Sequence, residues 1–377
     1  MSKILNTRAL AKGGDEAGTS STTMELNFFQ KFKFLLKKPK VIIVTGEGRF
    51  CAKEAIQQVL KPHFSVGKEI LVLESDLKNT GDLKRYKFLI NQSSLVVLVV
   101  THAGDIPLEQ EFFAAEREKT KEILSLAKIL PASNYLVLNF DDETVREIGD
   151  LTNLKTLNFG FQERADLRAS DIKINGGTNF KINYKGNIVP VWLERLFGKE
   201  QIYSALAGVA LGIIFDLNLV EISQALKNYQ SLPGRMRLIA GRNNSQILDD
   251  SATSAAFSMV EAVEILGKIH NSELHRRIVV LGDVVGIGKY TIEAHEAIGE
   301  KVANNADLLF TIGQRARFIA EGAKNKGMPV DKILQYDTID EGKLKLKDEI
   351  KSGDLILVDG SKEMKMEEIV EQIKEGR

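Results

Sequence analysis

The chain has 377 residues, 44% of them hydrophobic, with 51 Lys+Arg balanced by 51 Asp+Glu. That length suits two or three domains with sizeable cores, and the charge balance exerts no global pull toward nucleic acid or an anionic membrane. A single cysteine, Cys51, excludes an intrachain disulfide framework, and no apolar run reaches the roughly 20 residues that span a bilayer or resembles a signal peptide, so a reducing cytoplasm is the expected location.

Residues 11–23 (AKGGDEAGTSSTT) are rich in Gly, Ser and Thr and read as a tail or linker. The basic, amphipathic stretch 24–40 (MELNFFQKFKFLLKKPK) reads as a short helix packed on the next domain, with a membrane-surface helix as the alternative. From Val41 the pattern turns α/β. Val41–Val44, Ile70–Leu73, Leu95–Val100 and Tyr135–Leu138 read as buried strands, with helices over Ala52–Leu60 and roughly 109–130. Such alternation predicts a largely parallel sheet covered on both faces. Residues 151–195 alternate polar and apolar and predict an antiparallel hairpin region, and 200–230 is helix-rich. A boundary is expected near Leu232-Pro-Gly-Arg235. Beyond it, strands Ile247–Leu248, Ile278–Leu281, Leu308–Ile312 and Leu355–Val358 alternate with helices over 256–268, 292–305, 314–326 and 366–375, a small doubly wound unit. The resulting plan is a flexible tail and amphipathic segment over 1–35, a central domain over 36–232 and a C-terminal domain over 233–377.

Several strand ends carry chemistry. Val44-Thr-Gly-Glu-Gly-Arg-Phe-Cys-Ala-Lys-Glu54 lies between a strand and a helix, where a phosphate-binding loop belongs. Glycines such as Gly46 and Gly48 let backbone N–H groups approach phosphate, a Lys neutralises it, and a Ser or Thr hydroxyl holds Mg²⁺. The Gly-Lys-Ser/Thr triplet is missing. Without a gap its Lys and Thr fall on Phe50 and Cys51; with a one-residue deletion Gly48-Arg49-Phe50 replaces it and Arg49 keeps a cation. A plain tight turn is the alternative. Glu74, at a strand end, suits a metal, or is an ordinary surface carboxylate. His102, just past a buried strand, suits a metal or an orienting role, or is structural. The charge run Glu116–Lys121 reads as a solvated helix face. Arg235 precedes Asp249-Asp250, which meet ribose or metal or cap the next helix. Asp283, Gly286, Gly288 and His295 form another loop–helix entry, and Asp359-Gly-Ser-Lys362 the last; each also fits turn chemistry.

Taken in order, Leu232-Pro-Gly-Arg-Met236, Ile247-Leu-Asp-Asp250 with Ser258-Met259, Leu281-Gly-Asp283 with Gly288 and His295, and Ala306–Gly313 with Ala320–Ala323 resemble the Mur ligases. So does Gly353–Ser361 with Met364-Lys-Met-Glu367. The likeness extends to Val44-Thr-Gly46, Leu71-Val-Leu-Glu74, Thr101-His102, Leu138-Asn-Phe-Asp-Asp142 and Leu196-Phe-Gly198 with Ala205-Leu-Ala207, and runs over about residues 36–375. It is greatest to the branch that adds D-alanyl-D-alanine. The Gly360-Ser361 pattern with Met364, Met366 and Glu367 argues against the folylpolyglutamate-synthase type. The resemblance implies a Mur-ligase central domain, a parallel sheet with a phosphate-loop-like turn and a small antiparallel region, followed by a Rossmann-like C-terminal domain. It implies peptidoglycan-precursor synthesis: ATP phosphorylates the carboxylate of a UDP-linked muramoyl peptide, and the amine of D-Ala-D-Ala attacks the acyl phosphate. ATP and Mg²⁺ would be the cofactors. Glu74 and His102 would hold Mg²⁺, with His102 also in the catalytic set. Lys119 would be the carbamylated lysine, with Lys121 as the fallback. Gly46, Gly48, Arg49, Arg235, Asp249 and Asp250 would face the nucleotide.

The departures are several. The loop lacks its Lys and Thr, and the segment between the loop helix and Glu74 is short. Ala252-Thr253 stand where the family has Tyr-Asn. Asp359 replaces the Lys of a Lys-Gly-Ser motif and Lys362 the following Arg. The N-terminal uridine-binding domain has no counterpart before residue 46. A catalytically inactive relative that acts as a scaffold beside other cell-wall synthesis proteins is therefore the alternative function.

Overall fold

The computed structural model describes residues 34–75, 80–103, 119–253, 256–270, 273–285 and 287–376. The predicted tail, most of the amphipathic stretch, the start of the helix expected from 109, and Gly286 lie outside the described residues.

The first sheet begins with β1 (Lys40–Thr45), five of whose six residues are buried. Gly48 adopts a left-handed conformation, φ 75°, and starts α1 (Arg49–Leu60), whose buried face is Cys51, Ala52, Ala55, Ile56, Val59 and Leu60. There follow β2 (Ile70–Ser75), α2 (Thr80–Gln92), β3 (Leu95–Val100), α3 (Lys119–Lys128), β4 (Tyr135–Asn139), α4 (Glu143–Asp150) and β5 (Lys155–Gly160). Three antiparallel strands, β6 (Leu167–Ile174), β7 (Gly177–Tyr184) and β8 (Asn187–Glu194), complete an eight-stranded sheet of order β2-β1-β3-β4-β5-β6-β7-β8. The expectation for 151–195 needs one correction: β5 pairs parallel with β4, and the hairpins start only at β6. β5 lies inside the sheet, parallel to both β4 and β6, and is exposed at its start and buried at Phe159 and Gly160, so it lacks the alternation of the hairpin strands.

Both faces of the sheet are covered. Ile43, Leu98 and Leu136 pack with Leu89, Ile123 and Ile148 on one side. On the other, Ile42, Val44 and Val97 pack with α1 and with α5 (Lys199–Ile214), followed by α6 (Leu219–Leu226). Helix α5 is buried without interruption from Gln201 to Gly212. It lies so close to α1 that a Cβ on Gly208 would stand 3.1 Å from the Ala55 carbonyl oxygen.

The second sheet has six strands in the order β13-β12-β11-β14-β10-β9. Its elements are β9 (Arg237–Ala240), β10 (Gln246–Asp250), α7 (Ala256–Lys268), β11 (Arg276–Gly282), α8 (Thr291–Asn305), β12 (Leu308–Ile312), α9 (Arg317–Asn325), β13 (Ile333–Tyr336), α10 (Ile339–Glu349), β14 (Asp354–Asp359) and α11 (Glu367–Ile373). All pair in parallel except the edge strand β9. The two sheets are tied at their junction: Phe197 N donates to Met236 O at 3.0 Å, and Leu238 N to Arg195 O at 2.9 Å. Among the described residues no helix is long and apolar enough to cross a membrane.

The α1–α5 contact gives the first prediction. Gly208→Val forces a branched side chain against the α1 backbone, an overpacking that costs about 1–3 kcal/mol. A lower urea midpoint with an unchanged slope is the expected result.

Candidate functional site

The strand order β2-β1-β3 reverses direction at β1, so the crevice beyond the C-terminal ends of β1 and β3 is where an α/β sheet receives a ligand. Two loops meet there. Gly46 has φ 99°, and any Cβ would overlap the His102 carbonyl. Glu47 N donates to His102 O at 3.1 Å, and the Thr101 hydroxyl donates to the carbonyls of Thr45 and Glu47. The glycine loop is thus strapped to the end of β3.

Arg49 does not extend into this crevice. Its Nη1 donates to Gly46 O at 3.3 Å, and its guanidinium carbon lies 4.4 Å from the centre of the Phe50 ring. Cys51 turns inward and is fully buried. Its Sγ is 3.5 Å from Ser231 Oγ, and Gln201 Nε2 donates to Ser231 Oγ and to Arg235 O, both at 3.0 Å. Burial, joined by the charge of Glu200, pushes the thiol far up, so it stays protonated at neutral pH.

Glu74 sits at the end of β2 and is ion-paired: Lys53 Nζ, from α1, lies 2.8 Å from its Oε2. His102 is buried, with Asn139 Nδ2 3.0 Å from Nε2 and Asp142 Oδ2 3.7 Å from Nδ1, and its ring meets Tyr203 edge-on at 4.9 Å. Asp142 also caps α4 by accepting from Val145 N and accepts from Ala103 N at 2.9 Å. Burial works against its charge, but the bonds from His102, Ala103 and Val145 prevail and hold its carboxyl below the usual range. Tyr203 donates to Asp141 Oδ2 at 3.0 Å, and burial and that carboxylate push the phenol up. Lys119 opens α3, but its side chain lies outside the described residues; Lys121, the fallback, is exposed.

From the second sheet, Arg235 Nη1 approaches Glu200 Oε2 at 3.9 Å. Burial opposes its charge; Glu200, with Asp250 and Glu47, more than offsets this, and the guanidinium stays charged. Asp249 accepts from Gly234 N at 2.8 Å and from the Ser251 hydroxyl at 2.7 Å. Asp250 accepts from Met236 N at 3.1 Å and from the Thr253 hydroxyl at 2.7 Å. These two aspartates therefore fold the Pro233–Met236 turn. Asp250 is in register with Asp359 on the adjacent strand, both are buried, and Asp359 Oδ2 has no hydrogen-bond partner.

One crevice thus gathers Gly46 and Gly48 with Thr101 and His102, while Arg49 is folded back onto Gly46 O and Arg235 meets Glu200 beside Gly48. Glu74 is withdrawn onto Lys53. Mg²⁺ does not fit these residues: Glu74 is neutralised, Phe50 and Cys51 offer no hydroxyl, and His102 is engaged by Asn139. Among the described residues no group of three His, Cys, Asp or Glu side chains comes together to hold a metal. Sequence reasoning missed Lys53, Tyr203 and Glu200. Only Glu200, two residues past Gly198 at a helix start, carries a local signal.

A glycine turn at the switch point of a parallel sheet, joined to a doubly wound second domain, defines a two-domain α/β protein. The family description "Mur ligase middle domain" matches residues 19–212, and "Mur ligase, glutamate ligase domain" matches residues 234–362. The chain belongs to the Mur ligase family. It is 25% identical over 363 residues to the UDP-N-acetylmuramoyl-tripeptide–D-alanyl-D-alanine ligase of Bacillus subtilis, covering 89% of this chain and 76% of that protein. The Escherichia coli protein of the same name is 30% identical over 214 residues, which is 56% of this chain and 45% of the relative. The fold is shared with MurF from Acinetobacter baumannii at TM-score 0.74 and 18% identity, over 91% of this chain and 78% of that one. It is shared also with MurF from Thermotoga maritima, solved in complex with ADP, at TM-score 0.69 and 19% identity, over 95% and 86%.

The Asp250–Asp359 pair gives a pH prediction. Burial raises Asp359, and burial together with Asp359 raises Asp250. A carboxyl raised in the folded state contributes stability below its unfolded pKa, about 3.9, and that contribution is lost as pH rises through the folded value. Asp359→Asn removes the loss, so it is expected to stabilise the protein at neutral pH by on the order of 1 kcal/mol. Thermal melts over a pH series check this: the gain should shrink toward pH ~4, and a variant less stable than the parent at neutral pH would contradict it.

Proposed function

We propose that the chain works in peptidoglycan-precursor synthesis, in the cytoplasm, as a Mur-type homologue that binds ligands or partner proteins without Mg²⁺-dependent phosphoryl transfer from ATP. The Lys53–Glu74 ion pair at 2.8 Å carries this reading. Phosphoryl transfer rests almost wholly on positioned cations, with the metal bridging phosphate oxygens. Here an ammonium neutralises the carboxylate that the family resemblance assigns to the metal. Arg49, the one cation left in the loop sequence, is turned onto Gly46 O. Each lost contact to a transferring phosphoryl group typically removes a few kcal/mol of transition-state stabilisation. The names of the relatives supply the ligand class, a UDP-linked muramoyl peptide; cell-wall synthesis proteins are the partners this reading adds.

A divergent but working ligase that joins D-Ala-D-Ala to that peptide is the second reading. The approach of Arg235 to the loop region favours it, since Arg235 adds a guanidinium at the same crevice.

Calorimetry of the purified chain with ATP and Mg²⁺ separates the two. No binding at millimolar ATP, and no amide product with UDP-linked peptide and D-Ala-D-Ala, is the expected outcome. Micromolar ATP binding that needs Mg²⁺ and is abolished by Glu74→Ala would sink the non-catalytic reading.

A further inference from the structure

The N-terminus of α1 is a place for negative charge, because its first N–H groups point outward and the helix dipole is positive there. The helix supplies none itself: Gly48 makes no side-chain cap, and the first turn has no acidic residue. Glu200, from the first turn of α5, stands at that position. Its Cγ lies 3.3 Å, and its Cδ and Oε1 3.6 Å, from the point where a Cβ of Gly48 would be. Oε2 faces Arg235 Nη1 at 3.9 Å.

The seat is larger than its occupant. Glu200 Oε1 is buried, with the Cys51 thiol nearby but no well-formed hydrogen bond, and Arg49 Nε, in the same loop, is also buried without a partner. The Arg235 guanidinium, at 3.9 Å, and the N-terminus of α1 face one carboxylate, which satisfies them incompletely. The flanking residues fix Glu200 where it is: Lys199 N donates to Glu261 Oε1 at 2.7 Å, and Gln201 Nε2 to Arg235 O at 3.0 Å. Helix α5 cannot slide, because Gly208 already touches α1.

We propose that Glu200 is an internal stand-in for a phosphate group, occupying the anion seat of the glycine loop and latching Arg235 to it. This deepens the non-catalytic reading and rests on it. The chain's own carboxylate joins the two domains at the point where a phosphorylated ligand would otherwise bridge them, and it repels such a ligand from the loop.

The test uses the full chain and inorganic pyrophosphate without Mg²⁺, followed by calorimetry. Glu200→Gln keeps the side chain's size and removes its charge. It should bind pyrophosphate at least roughly tenfold more tightly than the parent, a gain of about 1.4 kcal/mol. Pyrophosphate should also raise the Tm of the variant and leave that of the parent unchanged. Glu200→Ser gives the same readout should the amide pack badly. Glu69→Gln, at the opposite, N-terminal edge of the sheet, makes the same change in net charge and should have no effect. Folded variants at 200 that bind pyrophosphate no better than the parent overturn the proposal, as does tight binding by the parent itself. Neither result bears on ATP–Mg²⁺ turnover, so the non-catalytic reading stands or falls separately.

Discussion

The contact between α1 and α5 governs where the charges at the glycine loop stand. Gly208 and Ala55 bring the two backbones close, and twelve consecutive buried residues of α5 leave it no freedom to shift. Glu200 is therefore delivered beside Gly48, and Gln201 one residue on reaches Ser231 and the Arg235 carbonyl. The Tyr229 hydroxyl lies 3.0 Å from Gln201 Oε1 and 3.2 Å from the Cys51 carbonyl. Loop, helix and the 229–235 connector form one buried polar unit. Leaving any buried group of such a unit unmatched costs about 1–3 kcal/mol, which ties loop geometry to the domain junction.

Within that frame, charges find partners inside the chain. A phosphoryl-transfer centre needs unspent cations that face the ligand. Here Lys53 is matched to Glu74, Arg235 to Glu200, and Arg49 to the Gly46 carbonyl. A further cation placed in the loop would still find Glu74 paired with Lys53 and Glu200 standing beside Gly48.

The sequence made some of this legible and hid the rest for physical reasons. Strands such as Val41–Val44, Leu95–Val100 and Leu355–Val358 are continuous apolar runs because both of their faces are covered. Helices α2, α4 and α10 and strand β13 left weak patterns: α4 buries only Val145 and Ile148, and no residue of β13 is fully buried. The loops after β1 and β3 could be placed because glycine spacing and strand ends are local. Asp249 and Asp250 read equally as ligands or caps, and both spend their oxygens on the backbone of the turn at 234–236. Glu200 and Lys53 escaped notice because a charged residue on an amphipathic helix looks like solvated surface. Their roles depend on partners 35 residues away for Glu200 and 21 for Lys53.

Residue 359 connects the second sheet to the same arrangement. Asp359 stands on the strand beside Asp250, so two buried carboxyl groups sit in register, and burial favours their protonated forms. Arg235 is the cation that acts on both: it favours the charged form of each carboxyl, and Asp250 in turn supports its charge. Arg235 is thus engaged electrostatically by the Asp250–Asp359 pair from one side. Glu200, approaching from α5, holds it at the junction from the other side. The positive charge that a nucleotide phosphate would require is divided between the two domains' own carboxylates.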